Sequence, residues 1–171
     1  MSSNPMPPCV PSPAQTVDSA AFRMACGKFA TGITIVTVIG PDGLPHGMTV
    51  NSFTSVSLDP PLVLVCIDRK ATICPKLQAT ECFGINVLAE NQRDLSTHFA
   101  RRGTDRFESV PWIAGERGVP LIDGALAHYE CEVTRVTDGG DHLIFIAEVR
   151  HLQCFEGRPL LYFASGYETL P

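Results

Sequence analysis

Three turn signals govern what this chain can fold into. Pro41-Asp42-Gly43, Asp59-Pro60-Pro61 and Asp138-Gly139-Gly140-Asp141 interrupt runs rich in Ile, Val and Thr. Proline removes a ladder donor, glycine accepts φ > 0, and aspartate bonds its own backbone two residues on. β-Branched residues between such breaks favour pleated backbone. The pattern predicts strands at 33–39, 47–57, 62–67, 82–88, 125–136, 142–152 and 160–163, mostly joined by hairpins. Six or seven strands with two or three short helices make a mainly β domain, an antiparallel sheet or barrel. A doubly wound α/β fold is excluded.

The helices fall between these strands. Asp18 is a candidate N-cap, and Phe22, Ala25, Cys26 and Phe29 recur at helical spacing until Gly32 stops them. A short helix is expected at 72–80. Another follows Asn91, with Leu95, His98, Phe99 and Arg102 on one side. Residues 103–124, which hold the single tryptophan, Trp112, read as irregular. Five prolines within residues 1–16 predict an extended arm over 1–17, ahead of one domain at 18–171.

Composition removes several function classes. Thirteen Lys and Arg against 18 Asp and Glu give a net charge of −5, which argues against a nucleic-acid binder. Charged residues are 18% of the chain, against about 25% in an average domain. Some surface is therefore expected to be covered, by a cofactor or a second subunit. The seven cysteines include no Cys-x-x-Cys pair, which excludes a zinc ribbon or a thioredoxin motif. Free thiols in a reducing cytoplasm are the expectation. No signal peptide is visible, and the apolar runs 33–39 and 62–67 are too short to span a bilayer.

Gly-x-Gly-x-x-Gly, the P-loop, His-Glu-x-x-His and Gly-x-Ser-x-Gly are all missing. His46, His98 and His151 have no Cys, His or Asp neighbour at ligand spacing, so no metal is expected. Along 125–136, Ala127, Tyr129, Cys131 and Val133 alternate with His128, Glu130 and Glu132, and the second set reads as a polar exposed face.

The most informative stretch is Gly47-Met48-Thr49-Val50-Asn51-Ser52-Phe53-Thr54-Ser55-Val56-Ser57-Leu58-Asp59-Pro60-Pro61. Small hydroxyl and amide side chains make a poor core strand, because each buried hydroxyl needs a partner. They suit a wall for a planar polar ring, or an edge strand with hydrated Ser and Thr. Composition leaves both open. Asp68-Arg69-Lys70-Ala71-Thr72 ends a strand and opens a helix, so Arg69, Lys70 and Thr72 read as an anion site. The alternative for Arg69 and Lys70 is a solvated loop. Arg106 holds a nucleotide or is an ordinary surface arginine.

The 47–61 run resembles the signature of the flavin reductase-like family, the small reductase components of two-component flavin-dependent monooxygenases. Phe29-Ala30-Thr31-Gly32-Ile33-Thr34-Ile35-Val36-Thr37, Phe83-Gly84-Ile85-Asn86-Val87-Leu88 and Gly140-Asp141-His142 are similar to further family segments in order and spacing. Together they cover residues 22–167. The resemblance implies an antiparallel split β-barrel, assembled as a homodimer with flavin near the subunit interface. It also implies hydride transfer from NADH or NADPH to FMN or FAD, with reduced flavin passing to a separate oxygenase component.

The same resemblance assigns residues. Thr49, Val50, Asn51 and Ser52 meet the flavin ring, with Ser55, Val56 and Ser57 continuing along the flavin. Asp68, Arg69, Lys70 and Thr72 serve the phosphate, and Asn86 and Val87 lie where the backbone passes the cofactor. His142 becomes the catalytic residue, orienting the nicotinamide and exchanging no proton; Tyr162 packs against the same ring. An acidic protein that binds anionic nucleotides must place its cations locally, at Arg69, Lys70 and Arg106. Two other readings compete, a flavin- or haem-binding carrier on the same barrel and a pyridoxamine-phosphate oxidase-like enzyme. The second is expected to use more Arg and Lys than 68–72 supplies.

Overall fold

A computed structural model describes residues 16–101, 103 and 106–170. The expected arm lies outside these residues except for 16 and 17, and so does Arg102. The elements in order are α1 (Ser19–Cys26), β1 (Thr31–Gly32), β2 (Thr34–Ile39), β3 (Pro45–Val50), β4 (Thr54–Leu58) and β5 (Pro61–Asp68). Then come α2 (Cys74–Gln78), β6 (Cys82–Val87), α3 (Arg93–Ala100), β7 (Trp112–Ala114) and β8 (Pro120–Ile122). The chain finishes with β9 (Ala127–Gly139), β10 (His142–Cys154), β11 (Leu161–Phe163) and β12 (Gly166–Glu168).

Seven strands form one sheet in the order β3-β2-β6-β9-β10-β5-β4, each pair antiparallel. Six of the predicted strands make up this sheet, 47–57 supplying both β3 and β4, while the predicted 160–163 is β11 in the small β1-β11-β12 sheet; the five strands outside the main sheet are two or three residues long. In a flat sheet β3 and β4 would lie about 29 Å apart, six gaps of about 4.8 Å. Residues 51–53 alone connect them, and four Cα steps reach about 15 Å at most. The sheet must therefore curl until its edges meet. No ladder joins β3 to β4 among the described residues, so the barrel is split at this seam.

The seam corrects the expectation of a single strand over 47–57. Ser52 Oγ donates to the Cys66 carbonyl at 2.9 Å and accepts from the Cys66 N–H at 3.0 Å. One hydroxyl thus takes both main-chain groups that a continuing strand would have paired.

The barrel interior is filled by alternate residues of the sheet, among them Val36, Val65, Ile67, Phe83, Ile85 and Phe145. Ile73, Cys74 and Leu77, in and beside α2, join the same core. A second cluster gathers Ile33, Ile35, Leu88, Phe99, Phe107, Ile122 and Leu160. Gly47 permits the approach of α3 here, since a Cβ at that position would lie 2.7 Å from Phe99 Cε1.

Three further expectations change. Asp18 does cap α1, accepting from Ala21 N at 2.9 Å, but the helix stops at Gly27 and Gly32 lies in β1. Asn91 lies in a 3₁₀ turn, Glu90–Gln92, and α3 begins at Arg93 without a side-chain cap. Within the supposedly irregular 103–124, β7 and β8 form a hairpin. Residues of this hairpin bond to β9, so His128 and Glu130 are buried, not solvated. His128 Nε2 donates to the Ile122 carbonyl at 2.8 Å. The Glu130 carboxylate accepts from Glu116 N at 3.0 Å and Arg117 N at 2.7 Å.

Candidate functional site

Strand register collects several predicted residues at one end of the barrel. β10 pairs His142 with Asp68, and β5 then runs into Arg69–Thr72. Ser52 sits on Cys66, two residues short of Asp68, so Asn51 and Ser52 reach this end along the seam. Asn51, Lys70 and Thr72 are exposed, while Asp68 and His142 are half-buried.

His142 Nδ1 bonds Asp141 Oδ1 at 2.7 Å. That bond holds the Asp141 carboxyl below the usual carboxylate range. In the neutral ring Nδ1–H donates to Asp141, which leaves Nε2 as an acceptor. Such an acceptor suits a carboxamide N–H₂.

The anion segment differs from expectation. The helix does not open at Thr72; α2 starts at Cys74, and its cap, Ile73, offers no side-chain bond. Arg69 is engaged elsewhere: Nε donates to the Gly140 carbonyl at 3.1 Å, and Nη2 pairs with Asp138. Lys70 keeps its ammonium exposed while its N–H donates to Asp68 Oδ1 at 2.8 Å.

Other predicted side chains are used inside the protein. Thr49 Oγ1 donates to the Ser96 carbonyl at 2.6 Å, anchoring β3 to α3. Val50 is buried, and its carbonyl accepts from Thr34 Oγ1 at 3.0 Å. Asn86 is fully buried: Nδ2 donates to Ile35 O and Thr37 Oγ1, and Oδ1 accepts from Ile122 N. Val87 ends β6 opposite Ala127. Ser55 and Val56 lie exposed on β4 and Ser57 is half-buried, with a register shift between the two serines. Tyr162 belongs to a separate sheet, β1-β11-β12, where its ring sits 5.8 Å from that of Tyr167.

Arg106 is no ordinary surface residue. Nη1 donates to the carbonyls of Gly47 at 2.6 Å and Phe99 at 3.1 Å, while Nε is buried without a partner. Burial lowers the guanidinium pKa. Arg106 and Thr72 line one cleft of about 560 Å³, together with Asp42, His46, Lys76 and Trp112. Sequence reading had set His46 aside and passed over Lys76. The four-residue spacing across a turn is the signal for His46, whose Nε2 lies 3.0 Å from Asp42; Lys76, whose Nζ donates to Asp42 at 3.1 Å from 34 residues away, carried none.

Among the described residues no group of three or more His, Cys, Asp or Glu gathers as a metal site. The six described cysteines are free. No described helix is long and apolar enough to cross a membrane.

The fold is a mainly β antiparallel sheet curled until its edges meet at a polar seam, with His142 paired to Asp68 at the seam's end and Lys70 two residues beyond Asp68. Residues 25–171 match the family model described as the flavin reductase like domain, and the chain belongs to that family. It is 43% identical over 169 residues to an NADH-dependent FAD reductase of Streptomyces globisporus, covering 94% of this chain and 92% of the relative. It is 38% identical over 154 residues to the reductase subunit of a Mycobacterium tuberculosis flavin-dependent monooxygenase, covering 88% and 82%. A Streptomyces globisporus NADH:FAD oxidoreductase, solved with NAD and FAD fragments, superposes with a TM-score of 0.87 at 40% identity. That match covers 94% of this chain and 98% of the other.

Proposed function

We propose that this chain reduces a flavin nucleotide with NADH or NADPH and releases reduced flavin to a separate oxygenase component. The observation that carries this reading is the pairing of His142 with Asp68 at the end of the seam. The register puts the imidazole at the end of the sheet that Asn51 approaches along the seam and from which the chain runs on into Lys70 and Thr72. The nicotinamide supplies the hydride and the flavin accepts it; the chain contributes binding and orientation. Asn51 offers a donor and an acceptor to the flavin ring, and the exposed backbone of the seam extends that contact. Lys70 and Thr72 face the flavin phosphate. The buried, unpartnered Nε of Arg106 is a donor suited to an anionic ligand. His142 orients the nicotinamide carboxamide and takes no proton. The relatives' NADH dependence and use of FAD support NADH and FAD as the pair used here.

The working unit is a homodimer. α1 buries none of its residues. Phe22 is 60% exposed and Met24 69%, and Val17, Phe29 and Phe163 are exposed as well. A monomer that leaves so many large apolar side chains in water is short of a covering surface. A second copy supplies it, and free cysteines fit the cytoplasm as the setting.

The test is direct. The protein is mixed with each nicotinamide and each flavin, and loss of the reduced-nicotinamide absorbance is followed. Oxidation of NADH with FMN or FAD is expected; none with any pair overturns the reading, and flavin binding alone leaves a carrier. His142→Ala is expected to raise the NADH KM by about tenfold, the worth of one hydrogen bond. An unchanged KM removes His142 from the site.

A further inference from the structure

Trp112 borders two cavities, the cleft beside Arg106 and a second one of about 580 Å³. That volume falls within the range of about 300–1,000 Å³ found for small-molecule sites. The second cavity is lined by the β7–β8 hairpin, the start of β9 and the end of β10. Gln153 on its wall stands eleven residues along β10 from His142, about 36 Å of strand. The nicotinamide candidate is at the other end.

A histidine and two carboxylates set the chemistry of this cavity. His128 on its wall is 6% exposed, and Nε2 is spent as a donor to the Ile122 carbonyl. In the neutral ring Nδ1 is then an acceptor, and it is buried without a partner. A buried acceptor left unpaired carries a desolvation cost, which a ligand O–H or N–H relieves. The Phe155 ring crosses the imidazole at 72°, with centroids 5.3 Å apart. It is 52% exposed and belongs to neither core cluster, so it is free to turn and admit that donor.

Charge narrows the guest further. Asp123 and Glu156 line the cavity, and among the described residues no Lys or Arg does. Carboxylates without cations repel the phosphates of flavin and nicotinamide nucleotides and favour a neutral or cationic molecule. Trp112, Ile113 and Phe155 supply apolar and aromatic surface for a ring.

We propose that this cavity binds a small hydroxylated aromatic molecule, neutral or cationic, as a ligand separate from the nucleotides. The hydroxyl donates to His128 Nδ1 and the ring packs on Trp112 and Phe155. An ammonium on the same molecule meets Glu156 or Asp123. The site stands independently of the reductase reading.

Tyramine, phenol, anisole and 4-hydroxybenzoate are titrated separately into the full-length protein. Trp112 is the single tryptophan, so its fluorescence, excited beyond the absorption of phenols, reports from the cavity wall. Calorimetry gives the affinities independently. Tyramine is expected to bind saturably, about threefold tighter than phenol. Anisole lacks the donor and should be about tenfold weaker than phenol, while 4-hydroxybenzoate should not bind. Glu156→Gln, at an exposed position, should bring tyramine down to phenol and leave phenol unchanged. His128→Leu should erase the preference for phenol over anisole; if that variant does not fold, the ligand series and Glu156→Gln still decide. Saturating FMN or NADH should leave tyramine affinity within about twofold, as independent sites do. No binding, equal binding of anisole, tightest binding of 4-hydroxybenzoate, or displacement by FMN or NADH overturns the assignment. So does a fall in oligomeric mass on Phe155→Ser when the native protein binds no tyramine, which gives this face to a second copy.

Discussion

Arg69 Nε donates to the Gly140 carbonyl at 3.1 Å, two residues ahead of His142. The same side chain pairs with Asp138, and its backbone N–H donates to the Asp141 carbonyl at 3.1 Å. One residue from the end of β5 thus grips the β9–β10 turn at three points. That turn presents the histidine.

Arg69 is accordingly a positioning residue for His142. Arg69→Ala is expected to raise the NADH KM by about five- to tenfold and to leave the KM values for riboflavin and FMN alike. Asp138→Ala should give the same pattern more weakly, and the double variant should fall short of the sum, as partners in one network do. A loss seen with FMN and not with riboflavin would instead place Arg69 on the phosphate.

Asn86 links β6 to β2 and to β8 from a fully buried position. Asn86→Ala leaves the Ile122 N–H unpaired inside the protein, at a cost of about 2–3 kcal/mol. Thermal unfolding should drop by roughly 5–10 °C. Flavin and nicotinamide KM values of the folded variant should stay within twofold; a selective rise in one of them would give the side chain a ligand.

Burial pushes the Cys131 thiol up to about 12, with lesser help from neighbouring Cys82 and Glu130. An unfolded chain releases this proton near pH 8.5, while the native chain keeps it. Above that pH the native state binds more protons, so stability falls as pH rises. The slope is about 1.4 kcal/mol per pH unit until the native value is reached. Denaturant unfolding from pH 8 to 10 should show this decline, and Cys131→Val should flatten it by one proton's worth. At pH 8 an alkylating reagent should label the exposed Cys154 and spare Cys131.

The strands of the main sheet were readable because their cause is local. β2 and β5 are unbroken β-branched and apolar runs bounded by turn residues. The division between β3 and β4 was not readable, since no proline or glycine stands at 51–53; a tertiary bond from Ser52 to Cys66 makes it. Alternation along β9 correctly separated two faces but said nothing of what covers them. The β7–β8 hairpin lies over His128 and Glu130, and no periodicity in 103–124 announced it. At the candidate site, residue identity pointed to His142, Lys70 and Thr72, whose side chains the structure leaves half-buried or exposed. It could not show that Arg69, Thr49 and Asn86 spend their polar groups within the protein, because each partner lies 36 or more residues away.

The three-residue link between β3 and β4 works as a clasp on the whole sheet. Seven strands are held in a curve by a strip of chain shorter than one of them, and that strip carries Asn51 and Ser52. A ligand gripped there is gripped by both free margins of the sheet at once. Occupancy and closure become a single mechanical event, and amide hydrogens of β3 and β4 should slow their exchange together when flavin is added.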